Sequence, residues 1–200
     1  MPRPRQFDED RVLRAAADVF RRRGYAGASV DELTAATGLG KGSLYGAYGS
    51  KHGLYLAALD RYADRNVGAV TTALAGSGAG AADELSAYLD GVVRAGRDGS
   101  PNCLLTVAAA ELADEDDAVA ERLGTAFDGL SKGLRAAVER GQAEGTIAAD
   151  VDPQAAAELL LVVARGVEVL AHGGVPPERL ANATELAVAA VAGPRRRPDA

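Results

Sequence analysis

Few side chains in this sequence could do chemistry, and they are scattered. The two histidines, His52 and His172, stand 120 residues apart, and neither has a metal-ligating partner three or four residues on, the spacing that would place two ligands on one helix face. The acidic run ADEDDAVAE at 113–121 could suggest a cation site, but carboxylates at a helix N-terminus are stabilising without any metal. GSGAG at 76–80 has no strand before it and no Lys-Ser or Lys-Thr after it, so it reads as a linker and not as a phosphate-binding loop. The single cysteine, Cys103, follows Pro101 at the start of the helical phrase NCLLTVAAAEL. A helix N-terminus favours a thiolate and can make a cysteine a nucleophile toward oxidants or electrophiles. Equally, a cysteine flanked by Leu104 and Leu105 can serve as a small buried apolar residue. No catalytic set, metal site or cofactor emerges, and an enzyme is not expected.

Composition narrows the class. A chain of 200 residues with 48% hydrophobic residues and one cysteine can bury a sizeable core without crosslinks, which excludes a disulfide scaffold. MPRPRQFDED carries no apolar stretch behind its basic residues, and no run reaches the ~18 uncharged apolar residues that span a bilayer. No membrane association and a cytoplasmic location are expected. The net charge is −6, which seems to disfavour a polyanionic partner. Its distribution says otherwise. Residues 1–55 hold nine Lys or Arg against six Asp or Glu, a balance of +3, and the remainder holds 13 against 22, a balance of −9. Polyanions are bound by a local basic surface, not by a basic average, and only the first quarter offers one.

That quarter contains TGLGKGSLYGAYGSK at 37–51. Each interior glycine costs a helix about 1 kcal/mol relative to alanine, yet Leu39, Leu44, Tyr45 and Tyr48 keep a rough helical spacing. Before this stretch, a helix is predicted from about Asp8 to Arg23, with Val12, Leu13, Ala16, Val19 and Phe20 on one face and Gly24 as its stop. A second begins at Ser29, where Ser29 and Glu32 have capping-box spacing, and ends at Gly38. The glycine-rich segment supplies a third helix over about 40–47. Ser50 then caps a long fourth helix. Two short helices joined at Gly38, with a third packed in front, are the parts of a helix-turn-helix. In such a unit Gly40 and Gly42 would let the backbone approach DNA and present amide donors at a helix N-terminus. On spacing alone, an ordinary helical hairpin with a loosened second arm fits too.

Helical patterns continue to the end of the chain, so the fold class is all-α. ADELSAYLDGVVRAG, NCLLTVAAAEL and a segment from about Asp117 to Gln142 follow the linker. Asp152 and Pro153 supply the cap and first turn of a helix reaching about His172, and His172 there is a favourable charge at the helix end. The last helix opens at Pro176 and stops near Gly193, ahead of the tail PRRRPDA. AAAELLLVVARGVEVL is apolar nearly all round, which marks a helix buried on more than one side. Together with Leu180, Ala183, Ala187 and Val191 of the last helix, it is expected to form a four-helix interface with a second copy. A central helix inside one subunit would give the same pattern.

SVDELTAATGLGKGSLYGAYGSKHGLYLAAL resembles the DNA-binding domain of the tetracycline-repressor (TetR) family of one-component transcriptional regulators. The likeness covers about residues 8–60, and NCLLTVAAAEL resembles a Cys-Leu-Leu segment found in part of that family. The resemblance implies a helix-turn-helix domain over 1–50 and a helical regulatory and dimerisation domain over 51–193; the basic tail over 194–200 is expected to be disordered as a chain terminus. It also implies a homodimer that binds a palindromic double-stranded DNA operator as a repressor and is released by a small effector. By the same resemblance, Lys41, Gly42 and Ser43 face bases and Tyr45 and Lys51 meet phosphates. Ser29 brings its helix end to the backbone, and Thr37 is a further candidate contact. Ala47 stands where many relatives carry histidine, and it can touch only a thymine methyl. Tyr48, in place of phenylalanine, is expected to be core. Gly53 replaces an acidic residue that would complete a capping box with Ser50. Members with a similar Cys-Leu-Leu phrase include sensors of reactive species, so Cys103 is a candidate for ligand or redox sensing as well as for packing. From another class, a small-molecule-binding helical carrier that never meets DNA would share the acidic C-terminal part, but would have no use for a basic, capped, glycine-rich trihelix.

Overall fold

The computed structural model describes residues 7–76, 78, 80–97 and 101–193. The tail at 194–200 and part of the 76–80 linker lie outside them. Among the described residues there are nine α-helices and no strand: α1 (Glu9–Gly27), α2 (Val30–Thr37), α3 (Lys41–Tyr48), α4 (Lys51–Ala73), α5 (Ala81–Arg97), α6 (Leu104–Leu112), α7 (Asp117–Glu144), α8 (Pro153–His172) and α9 (Pro177–Ala192). None of them is long and apolar enough to cross a membrane.

The helices form two compact units, one from Met1–Asn66 with Pro101–Ala126, the other from Val67–Ser100 with Phe127–Ala200. In the first, Asp8 caps α1 by accepting from the Arg11 amide at 3.1 Å. The apolar stripe Val12, Leu13, Ala16 and Phe20 is buried, as are Leu33 of α2, Leu44 of α3, and Leu54 and Tyr55 of α4, and α1 packs on α2. Phe20 and Tyr55 meet edge to face with ring centroids 4.9 Å apart, a geometry that matches the positive rim of one ring to the negative face of the other. Gly24 breaks the helical path of α1 with φ 71° and ψ 177°. The chain does not leave the helix there for good. It makes one further turn, to Gly27, before α2 begins.

In the second unit, α5, α8 and α9 pack on one another around Val93, Val167 and Leu180. The Arg140 guanidinium bridges the buried Glu84 and the Leu74 carbonyl, so the burial of a carboxylate is offset by a charged partner. Asp152 caps α8 by accepting from the Gln154 and Ala155 amides at 2.8 and 3.1 Å. The buried residues of α8, Ala156, Ala157, Leu160, Leu161, Ala164 and Val167, lie on one side, while Leu159, Val162, Val169 and Leu170 are exposed on the other. The expectation for α9 needs correction. Of the four residues expected there, Leu180, Ala187 and Val191 are buried within this unit and are not available to a second copy, whereas Ala183 is exposed; the large apolar residue that α9 exposes is Leu186.

Candidate nucleic-acid interface

The first unit positions the glycine-rich helix through two caps and one anchor. The Ser29 hydroxyl accepts from the Glu32 amide at 3.1 Å, and the Glu32 carboxylate accepts from the Ser29 amide at 3.1 Å. This reciprocal cap satisfies two amide donors that a helix start leaves open. Those bonds from Ser29 hold the Glu32 carboxyl below its ordinary range, with Arg23 adding a smaller pull. At the far end of α2, Gly38 takes the left-handed conformation, φ 72°, and its amide donates to the Thr34 carbonyl at 3.0 Å. A side chain at this φ would be strained, so the tight turn into α3 depends on glycine here.

α3 is held by Leu44, which is buried, while Lys41, Gly42, Ser43 and Gly46 are exposed and Tyr45, Ala47 and Tyr48 are half-buried. A methyl group added at Gly40, Gly42 or Gly46 would meet no atom beyond its own stretch of backbone within 4 Å. Packing inside the protein therefore gives no reason for glycine at these positions. Gly40, at the N-cap, supplies no side-chain acceptor to the first turn, which leaves amide donors available at the positive end of the helix dipole. The Lys41 ammonium lies 5.9 Å from the centre of the Tyr45 ring, one turn away. Lys51, the first residue of α4, carries its ammonium 4.7 Å from the centre of the Tyr25 ring.

Seven of the eight residues assigned to DNA by resemblance are thus exposed or half-buried along α3, its flanks and the α2 cap. Thr37 is the exception. It is 1% exposed, its hydroxyl donates to the Leu33 carbonyl at 2.7 Å, and it accepts from the Leu39 amide at 3.4 Å. Its hydrogen bonds are spent on closing the turn, which withdraws it from any surface contact. Gly53 has a steric role that the spacing does not announce. The amide of Gly53 is capped by the Ser50 hydroxyl at 3.0 Å, and a Cβ at this position would lie 2.0 Å from the Tyr48 carbonyl oxygen. Close approach of the end of α3 leaves no room for a side chain here.

Two groups absent from the expectations brace the C-terminal part of α1. Glu111 of α6 accepts from the Tyr25 amide at 2.6 Å and the Ala26 amide at 2.8 Å, and the Arg21 side chain donates to the carbonyls of Pro101 and Asn102, each at 2.6 Å. α6 is thereby tied at both ends to the C-terminal part of α1. These partners are 80 to 86 residues apart in sequence, so no local spacing could announce them. Cys103 is the N-cap residue of α6 and is 5% exposed, with Leu104 and Leu105 buried beside it. Among the described residues no group of three or more His, Cys, Asp or Glu could hold a metal ion.

Comparison with known proteins agrees with this arrangement. Residues 12–58 match the family model of bacterial regulatory proteins of the tetR family, and residues 79–187 match that of the tetracyclin repressor-like C-terminal domain. The chain is 27% identical over 180 residues to the HTH-type transcriptional repressor ComR of Escherichia coli K12, covering 89% of this chain and 86% of that one. Among solved structures it is similar to a cysteine-substituted form of the TetR family transcriptional regulator CifR complexed with 26 bp double-strand operator DNA. There the identity is 35%, the coverage 93% of this chain and 98% of that one, and the TM-score 0.79. A TetR transcriptional regulator from Chloroflexus aurantiacus J-10-FL is 30% identical, with 90% and 91% covered and a TM-score of 0.78. With its two family matches falling on the helix-turn-helix and on the C-terminal helices, the chain belongs to the tetracycline-repressor (TetR) family of bacterial transcriptional regulators.

Proposed function

We propose that this regulator is a homodimeric repressor, acting in the cytoplasm, that lays α3 of each subunit in the major groove of a palindromic operator and is released by a small effector. The observation that carries the reading is the outward face of α3: Lys41, Gly42 and Ser43 exposed in the first turn, with Leu44 anchoring the helix from below. Lysine can donate to guanine O6 and N7, and a serine hydroxyl serves either kind of base edge. Tyr45 and Lys51 supply donors that fix register on phosphates without reading sequence. Operator binding by the similar CifR and the repressor role of the similar ComR support the assignment.

A dimer follows from the same reading, because one short helix reads too few bases and two helices about 34 Å apart read a palindrome. Leu159, Val162, Val169 and Leu170 recur along α8 at helical spacing and are exposed, as is Leu186 of α9 at 72%. Exposed apolar residues in a stripe mark an interaction surface, and a second copy can cover it isologously. An effector that prefers the conformation with the wrong helix separation would weaken operator binding by linkage. The burial of Cys103 favours packing as its role, and a non-covalent effector in the helical C-terminal part.

Binding to the chain's own upstream DNA, followed by footprinting and by fluorescence anisotropy across a salt series, tests the proposal. A protected palindrome and a steep fall of affinity with salt are expected, since each neutralised phosphate releases counterions. A protein that binds this DNA no more tightly than random duplex, or with no salt dependence, would not be an operator-binding repressor of this kind.

A further inference from the structure

The ring of Tyr25 has three aromatic neighbours. Its centroid lies 5.0 Å from that of Tyr55, 6.3 Å from Phe20 and 6.2 Å from His52. Its backbone is fixed independently, by the 2.6 Å bond from the Tyr25 amide to Glu111. The left-handed φ at Gly24 turns the chain so that this amide and that of Ala26 both point at one carboxylate. At this φ a side chain would be strained, and a Cβ at Gly24 would lie 2.7 Å from the Glu111 carboxylate oxygen, so the acceptor would have to shift to admit it. The Lys51 ammonium lies over the ring, 4.7 Å from its centre.

We infer that Tyr25 is a positioning residue for DNA binding, whose ring holds the Lys51 ammonium where it meets a phosphate. This rests on the reading of Lys51 as a phosphate contact. A lysine side chain is long and loses rotamer freedom when it is immobilised, and a partner that holds it in advance reduces that loss on binding. The nature of the partner matters. A carboxylate would neutralise the ammonium and compete with the phosphate, and among the described residues no carboxylate pairs with Lys51. An aromatic face attracts the cation through its quadrupole and leaves N–H donors directed outward. The hydroxyl of Tyr25 is pushed up in pKa, by burial first and by Asp116 second, so the ring stays neutral at physiological pH. Glu111, reaching from α6, sets the position of the ring and through it that of Lys51.

The experiment is a double-mutant cycle on the full-length protein, with affinity for a short fluorescent random-sequence duplex as the readout, because a phosphate contact does not depend on sequence. Tyr25→Leu is expected to weaken binding about two- to fivefold, the size of an exposed cation–π contact. Tyr25→Phe should retain wild-type affinity, and Tyr25→Leu should cost nothing further in a Lys51→Ala background. The Lys51 ε-methylene protons of the free wild-type protein should be shifted upfield by the ring, a readout that does not require the Leu variant to fold. Equal losses in both backgrounds would overturn the inference, as would a Phe variant as weak as Leu or unshifted ε-protons. If those protons are shifted but Lys51→Ala binds DNA like the wild type, the assignment of Lys51 fails and takes the role of Tyr25 with it.

Discussion

His52 Nε2 lies 2.6 Å from Asp116 Oδ2 and so joins the first turn of α4 to the residue before α7. The other Asp116 oxygen caps α7, accepting from the Ala118 and Val119 amides at 3.0 and 3.2 Å. The hydrogen bond from His52 is the main cause that lowers the Asp116 pKa below its ordinary 3.8. A carboxylate with a lower pKa folded than unfolded contributes stability above the unfolded value and loses it as pH falls through the folded one. His52→Ala removes the donor, so its acid unfolding midpoint should move to higher pH, seen by circular dichroism during acid titration. An unchanged midpoint would show that the amide bonds alone set the Asp116 charge.

Lys41 and Lys51 should separate by kind of contact. Lys51→Ala is expected to weaken operator and random duplex alike and to flatten the salt slope by about one unit, because one phosphate contact is lost. Lys41→Ala should instead erode discrimination between the two, by about 1–3 kcal/mol if its contact to guanine is bidentate. Anisotropy titrations of both duplexes at several salt concentrations distinguish these outcomes. An intact salt slope in Lys51→Ala would place that ammonium away from the backbone of the DNA.

Gly42 and Gly53 should respond oppositely to alanine. A methyl at Gly42 meets open space, so Gly42→Ala should stabilise the free protein by about 0.5–1 kcal/mol through helix propensity, yet weaken operator binding if the backbone approaches the DNA there. At Gly53 the methyl would lie 2.0 Å from the Tyr48 carbonyl, and Gly53→Ala should cost about 1–3 kcal/mol as the helices shift to admit it. Thermal melts read the stability change and operator titration the affinity. A Gly42→Ala variant that binds its operator like the wild type would dismiss the close approach.

Val162 and Leu160 lie two residues apart on α8, and their exposures, 67% and 0%, predict different failures. Glutamate at Val162 remains solvated in the monomer but would be desolvated beneath a second copy. Val162→Glu should therefore fold and scatter light as a monomer at micromolar concentration. Leu160→Glu should lose on the order of 3 kcal/mol or more, because its carboxylate enters the core unpaired. A wild type that is itself monomeric would remove the argument for a palindrome.

Cys103 is expected to behave as packing. Its burial shields the thiol, so a thiol-alkylating reagent should leave the folded wild type bound to its operator, as it leaves Cys103→Ser. Release of the wild type alone, with Cys103→Ser still bound and folded, would make this thiol the sensor.

Much of the first unit was legible in sequence because its signals are local. Ser29 and Glu32 stand three residues apart, and a capping box needs nothing beyond one helical turn. Gly38 marks the turn because a left-handed φ excludes most side chains whatever surrounds it. The stripe from Val12 to Phe20 is visible as a helical period. Other features were decided by which faces came together, and that choice depends on elements far apart in the chain. Thr37 is a candidate DNA contact by resemblance, yet its hydroxyl closes a turn. Gly53 looked like a lost cap and makes room for the Tyr48 carbonyl. Tyr25 stood beyond an apparent helix stop, yet it meets Lys51 across 26 residues and Glu111 across 86. On α8 and α9 a period shows that some apolar residues are buried but not which stripe the subunit buries for itself. Leu180, Ala187 and Val191 went inward and Leu186 stayed outside, because burial is a property of packed surfaces and a one-dimensional pattern records only the face.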